Sequence, residues 1–595
     1  MNKNRRFDGL KRALRTPRDS GFISDAPRQL HRSALVTAAS RSRPIAMIAL
    51  FVLAIFLFAP GQWILPPIDR DEARFVQATK QMHETGDYID IRNQDQPRYK
   101  KPIGIYWLQA IATLPFGSDE SPIGAYRLPS FAGALLSVFV TWWAGLVLFG
   151  RRAAFLAALL FSASLLLGVE ARLAKTDAAL LATIVTAQAI LARMWMDRAP
   201  DMIGGGVPRL EPPTPLALAY AIPLWLAISF GLLIKGPVIL MIVGTTVLGM
   251  ALGARRLWPL VCMRPLVGLI VVAVVALPWY IAIIAQSGGA FVDQAILKDL
   301  FGKIGTGQQG HGAPPGTYLV IFTITAWPMA AFAILGIPLM VRHWRQPSVW
   351  FCLIWLVPSW LVFEAVTTKL PHYVLPLFPA LALLAGAALD RAALLKAVFW
   401  HRATAILFPI LPAALGCAAI GLPLYLEMSL PAGVGIAAVT AFAVSLFTAR
   451  SFWHGRVELA ALGSALTAGF LWLAVYQFAL PALEQIWISE RLVKQARAVA
   501  NCPEVALASA GYTEISLVFL SRTDTLLGRP EAVAEWLAAG DCRVAMIEAR
   551  VVTKFLNAAA ANAIAPVAVA NETGFNFSNG NWIDITLYMQ RGGRE

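Results

Sequence analysis

The chain has 595 residues, of which 57% are hydrophobic and 14% charged, and its formal net charge is +15. A soluble protein carries about 25% charged residues. The apolar excess falls in runs long enough to cross a bilayer, roughly 17–25 residues each, which excludes a soluble globular enzyme and indicates a polytopic helical membrane protein.

Residues 1–43 contain eleven Lys and Arg and no apolar run. This segment reads as a disordered cytoplasmic tail facing an anionic leaflet. Poor in aromatic side chains for base stacking, it is not expected to bind nucleic acid. The first apolar run starts near residue 44 and is of span length, so it reads as a span and not as a cleavable signal. Thirteen spans are expected, at roughly 44–65, 129–149, 153–171, 176–196, 215–233, 236–253, 264–284, 316–342, 348–367, 372–390, 403–426, 432–449 and 459–480. With the tail inside, every inner connection is basic, from Arg151 and Arg152 to Arg450 and Arg456, as the positive-inside bias requires. An odd count places the C-terminus outside, with the N-terminus cytoplasmic.

The transmembrane domain is therefore expected over 44–480, with outer loops at 66–128 and 285–315. Within the first loop, "PIGIYWLQAIATLPF" (102–116) is too short to span and suits a helix lying in the interface. Residues 481–595 read as a small extracytoplasmic (periplasmic) α/β domain. "EQIWISERLVKQARAVA" has helical spacing, whereas "EVALAS", "RVAMIE" and "APVAVA" are strand-like. "NFSNGNWIDITLYMQ" predicts a hairpin with Asn579-Gly580 in the turn. Of five cysteines, Cys502 and Cys542 fall in this domain and are a disulfide candidate; Cys262, Cys352 and Cys417 fall within or beside spans.

Charges gather on the outer face. "IDRDEARFVQA" (68–78) follows the first span. Asp69 as N-cap and Glu72 as its capping-box partner would account for two of these charges, but not for Asp71 or Arg74. Lys100 and Lys101 lie in "RYKKPIGIYW", Arg127 in "YRLPS", and Glu170, Arg172, Lys175 and Asp177 flank the third and fourth spans. Lys235 lies in "IKGP", His311 in "GHGAPP", and Glu364 and Lys369 near "TTKLPHY". Singly, each has a structural explanation; Asp177 could sit at a helix N-terminus, where the dipole favours it. Together they describe a polar cavity at the outer interface, because charges near hydrocarbon line a cavity or find partners.

Lysines and an arginine suit a lipid phosphate or pyrophosphate, and carboxylates beside them suit general-base work or sugar binding. There is no Walker-type loop, HExxH or CxxC pair. A nucleotide-sugar site would need a soluble cytoplasmic domain, and no inner loop is long enough. The substrate is then one already in the membrane. No cofactor is expected, and no metal site is assigned, although a divalent ion is chemically possible.

The set "RDEARF", "YKKPIGIYW", "YRLPS", "LAKTDAAL", "LIKGP", "LPWY", "HGAPPGTYL" and "TTKLPHYVLPLFPALALL" resembles the GT-C glycosyltransferases. More narrowly, it is similar to the lipid A aminoarabinose transferases and the protein mannosyltransferase-like group, over about residues 44–390. The resemblance implies a polyprenyl-phosphate-linked sugar donor, thirteen spans, and inversion at the sugar carbon. It puts the acidic residue after the first span on Asp71, the phosphate-contacting lysine on Lys101, the second acidic residue on Asp177 and the loop histidine on His311. It also implies lipid A, another glycan or a protein as acceptor. The chain departs from the pattern at Lys100, where aminoarabinose transferases usually have an acid, and at 291–310, where Lys303 stands in for an arginine.

The expected roles follow. Asp71 and Asp177 are the catalytic candidates. Lys101, Arg127 and Lys235 would bind the donor phosphate, and Glu72, Arg74, Lys100, His311 and Lys369 the substrates. A protein O-mannosyltransferase-like activity stays open, as does a lipid or sugar flippase. Transporters, however, tend to place charges at the midplane on broken helices, and these lie at helix ends.

Overall fold

A computed structural model describes residues 33–117, 121–198, 214–295, 312–391, 403–500, 502 and 504–590. His311, Lys303 and most of the basic tail lie outside the described residues. An apolar helix or pair of helices occupies each of the thirteen stretches expected to span. By length and composition, eight helices among the described residues can cross a membrane, or nine if the pair Pro265–Val275 and Leu277–Gln286, bent by 40°, counts as one span. The rest, such as Arg43–Phe58 and Val238–Ala254, are shorter.

Helix approach decides where the helix ends that carry the charges meet. Helices Ile123–Leu148 and Thr176–Met196 cross at Gly133, where a Cβ would lie 2.6 Å from the Ala178 carbonyl oxygen. Small residues permit such backbone contact in membrane bundles. Gly104 does the same for helix Gly104–Thr113, where a Cβ would lie 2.8 Å from the Leu233 carbonyl. The helix behind the "KKP" stretch is thereby pressed against the C-terminal end of helix Leu218–Lys235. It is the segment read as interfacial, and it ends in a short 3-10 turn, Leu114–Phe116.

The described residues of the long loop expected at 66–128 carry secondary structure of their own. Helix Asp71–Thr85 is followed by a small antiparallel pair, β1 (Arg92–Asn93) and β2 (Gln96–Pro97). The C-terminal sheet runs β4-β3-β5-β7-β6. In it β3 (Ala506–Ala510) is parallel to both β4 (Leu526–Gly528) and β5 (Arg543–Glu548). β6 (Pro566–Asn576) and β7 (Asn581–Gln590) form the expected hairpin, with Gly580 in its turn at φ 78°. The amphipathic helix Ile488–Ala500 packs on it. Cys502 and Cys542 are bonded, with Cα atoms 6.3 Å apart.

This sheet domain docks on helix Asp71–Thr85. Phe519 meets Tyr126 edge to face at 5.4 Å. Lys80 Nζ donates to the carbonyls of Phe519 (3.2 Å) and Ser521 (3.4 Å), and Gln77 donates to Thr523 Oγ1 at 2.8 Å. Asp69 faces the same domain beside a hydrogen-bonded group of Ser489, Tyr512 and Ser516. Burial pushes its carboxyl up to about 7; contacts to Ser516 and Tyr512 oppose the rise and Glu514 adds to it.

Candidate functional site

Three stretches far apart in sequence converge at one end of the bundle. Asp177 lies in the first turn of helix Thr176–Met196. Lys235 is the last residue of helix Leu218–Lys235, which Gly236 terminates at φ 65°. A carboxylate at a helix N-terminus and an ammonium at a C-terminus each suit the local dipole. Lys235 Nζ donates to Asp177 Oδ1 at 2.5 Å. His372, from the 3-10 segment Pro371–Leu377, brings Nε2 to 3.8 Å from the same oxygen and Nδ1 to 3.9 Å from Glu170 Oε1. Lys175 Nζ lies 3.0 Å from Glu170 and 4.0 Å from Asp177. Burial works against the charge on Lys175, but the Glu170 and Asp177 carboxylates outweigh it and hold the amine above its usual range. Lys235 also sits over the Tyr373 ring, 5.2 Å from its centroid.

Asp71 stands at the rim. It opens helix Asp71–Thr85, is exposed, and is close enough to Lys175 to help keep that amine protonated. Lys101 is half-buried and donates to the Lys100 carbonyl at 3.0 Å, with its charge in reach of His372. Lys100 is exposed, and Arg74 is half-buried on the first turn of the Asp71 helix. Two donors of the Lys235 ammonium remain after its contact with Asp177, so Lys235 can still bind an anion.

Other expected roles are corrected. Arg127 is fully buried and is not a phosphate ligand. Its Nε and Nη2 donate to Glu72 at 2.9 Å each, and its remaining bonds go to the carbonyls of Gln62, Leu65 and Pro66. Glu72, 2% exposed, also accepts from the backbone N–H of Ile68 and Ala174, leaving it no open lone pair for a substrate. The capping box does not form. Arg70 precedes the helix at φ 69°, Glu72 turns inward to Arg127, and Asp69 faces the C-terminal domain. Lys369 is 7% exposed and donates to the carbonyls of Ala313 and Val366, anchoring the loop that follows His311. Glu364 supports that loop through the N–H groups of Gly316 and Leu319.

Glu170, Lys175 and His372 join the cluster without having been assigned roles from sequence. For the first two the available signal was charge beside "LAKTD". His372 lay hidden in a Pro-rich apolar run, where a histidine usually reads as packing. Among the described residues, no group of three or more His, Cys, Asp and Glu is arranged to hold a metal ion.

A family model described as dolichyl-phosphate-mannose-protein mannosyltransferase matches residues 100–207, which carry Lys101, Arg127 and Asp177. The chain is 27% identical over 349 residues to an undecaprenyl phosphate-α-4-amino-4-deoxy-L-arabinose arabinosyl transferase of Yersinia enterocolitica, covering 58% of each chain. The transferase of the same description from Pectobacterium carotovorum is 26% identical over 347 residues, covering 57% of this chain and 58% of its own. The chain thus matches just over half the length of these curated relatives. In three dimensions it is similar to ArnT from Cupriavidus metallidurans bound to undecaprenyl phosphate, with TM-score 0.69 and 18% identity over 91% of this chain and 98% of that one. The apo form of that protein gives TM-score 0.66. The chain is a multi-pass membrane protein with the fold of the ArnT structures, and its sequence is similar to the aminoarabinose transferases.

Proposed function

We propose that this chain is an inner-membrane glycosyltransferase that moves a sugar from a polyprenyl phosphate to lipid A or lipopolysaccharide core. The observation that carries the reading is the cluster itself: buried Glu170 and Asp177 paired with half-buried Lys175 and Lys235 at one end of the bundle, with exposed Asp71 at its rim. The names of the relatives and the lipid phosphate in the similar crystal structure support the donor class. Attack by an acceptor oxygen on the anomeric carbon forms the new glycosidic bond, and the C–O bond to phosphate breaks with its electron pair on the phosphate oxygen. Lys235, Lys175 and Lys101 stabilise that developing charge, where preorganised cations help most. Asp177 positions Lys235, and His372 stands against the same carboxylate. A hydroxyl acceptor gives its proton to Asp71; a phosphate acceptor is already anionic, and Asp71 then orients it. In this arrangement the sheet domain is periplasmic and the basic tail cytoplasmic.

The match at 100–207 to a protein mannosyltransferase model favours a second reading, with a hydroxyl of a secreted protein as acceptor. Mass spectrometry of lipid A, core and secreted glycoproteins separates the two. A strain lacking the chain loses one sugar from one fraction, the parent gene restores it and Asp71→Asn does not. No change in any fraction removes the transferase reading.

A further inference from the structure

Beside Asp71 lies a second group of donors that the cluster above does not use. Arg98, directly after β2, is 8% exposed, and its guanidinium lies over the Phe75 ring at 4.5 Å. Its Nε and Nη1 are shielded and have no hydrogen-bond partner. Tyr106 is fully buried, its ring 5.4 Å from that of Phe75, and its hydroxyl likewise has no partner. Phe75 is one turn beyond Asp71 on the same helix face. Arg98 and Tyr106 thus both pack on Phe75, and Tyr106 is within electrostatic range of Arg98 and Asp71.

Buried donors in folded proteins are almost always paired. A guanidinium is permanently charged, offers only donors, and presents them in a planar fork. With a phenol O–H alongside, the missing partner is an anion with several acceptor oxygens. Among the described residues no carboxylate fills the role: Glu72 belongs to Arg127, and Asp71 is exposed and leaves Nε and Nη1 unbonded. A cation is excluded by the donor chemistry. We propose that Arg98 and Tyr106 form a phosphoryl-binding site next to Asp71, separate from the Lys175–Lys235 cluster. The proposal rests on the transferase reading for the identity of the ligand, a lipid-borne phosphoryl group. That group comes from one of two sources, the polyprenyl-phosphate donor or a phosphate on lipid A.

The test uses the full chain in lipid nanodiscs and measures affinity for undecaprenyl phosphate and monophosphoryl lipid A. Undecaprenol and dephosphorylated lipid A are the controls. Arg98→Gln is expected to weaken one or both phosphorylated lipids at least about tenfold, the scale of a charged hydrogen bond, and to leave the controls unchanged. Tyr106→Phe shifts the same lipid in the same direction. Loss confined to undecaprenyl phosphate assigns the site to the donor; loss confined to lipid A assigns it to the acceptor. Unchanged affinity for both overturns the proposal, because a buried water then satisfies the donors. Equal loss of a lipid and its control also overturns it, as a packing effect. Where Arg98→Gln does not fold, Tyr106→Phe and Arg98→Lys carry the same comparison. The transferase reading fails separately: phosphate-dependent binding with no sugar missing from the deletion strain leaves this site standing without that reaction.

Discussion

Arg127→Met discriminates the structural from the phosphate-binding role of that arginine. Arg127 is fully buried and shares two hydrogen bonds of 2.9 Å with Glu72, itself 2% exposed. Removing the guanidinium leaves the carboxylate with only the N–H groups of Ile68 and Ala174. The carbonyls of Gln62, Leu65 and Pro66 lose this donor as well. Breaking a buried pair by removing one partner costs about 3–5 kcal/mol, since a charge is stranded where solvent cannot reach it. The three carbonyls add to this but not independently, so the whole falls near the upper end of that range. Replacing both residues, Arg127→Met with Glu72→Met, removes the stranded charge and recovers part of the loss. The assay is unfolding of the purified chain in mixed micelles, paired with binding of undecaprenyl phosphate per folded molecule. The expected result is a lower unfolding midpoint with normal affinity in the surviving fraction. An unchanged midpoint with lost lipid affinity would refute the reasoning and return Arg127 to the substrate site.

Three further outcomes follow from the same geometry. Asp177→Asn releases Lys235 from its 2.5 Å contact; turnover is expected to fall while undecaprenyl phosphate binds at least as tightly, and a loss of both together would argue against a positioning role. Asp69, pushed up to about 7, binds its proton more tightly folded than unfolded. Its contribution is therefore full below the ordinary carboxylate range and is lost as pH rises to about 7, by at most about 4 kcal/mol. Unfolding midpoints across that pH range should slope downward for the parent and less so for Asp69→Asn; equal slopes would contradict the assignment. The bond between Cys502 and Cys542 closes a loop with sequence separation 40, worth about 4 kcal/mol in the chain-entropy account. Reduction should then make the sheet domain sensitive to protease, and unaltered resistance would count against it.

The membrane helices were legible because long apolar runs have one stable solution in lipid. The β6–β7 hairpin was legible because Asn-Gly between alternating residues dictates its turn. The strand Leu526–Gly528 was not: it is three residues long, and its parallel pairing with β3 depends on contacts distant in sequence. The site was harder to read for a similar reason. Asp71 and Glu72 are adjacent in the chain, but successive helical residues point about 100° apart. One carboxylate therefore reaches the surface and the other meets Arg127 in the core. Sequence alone does not say which, because the answer depends on where helix Ile123–Leu148 packs. Lys369 was misread likewise, since the loop it anchors is defined only once Gly312 pairs with Thr368.

The helix carrying Asp71 is held from two sides, and this bears on what the sheet domain does. On the inner side Glu72 is fixed by Arg127 and by the N–H of Ala174, three residues before Asp177. On the other, Gln77 and Lys80 bind the segment that follows Phe519. One turn of helix beyond Asp71, Phe75 carries the Arg98 guanidinium on its face. The position of Asp71 relative to Lys175 is therefore set jointly by the bundle and by domain docking, and not by its own side chain, which is exposed. A substitution at the docking surface, such as Gln77→Ala, acts on Asp71 through the helix that both share. It should alter turnover more than binding of the lipid phosphate to Lys101, Lys175 and Lys235, the lysines proposed for it, because these belong to other elements.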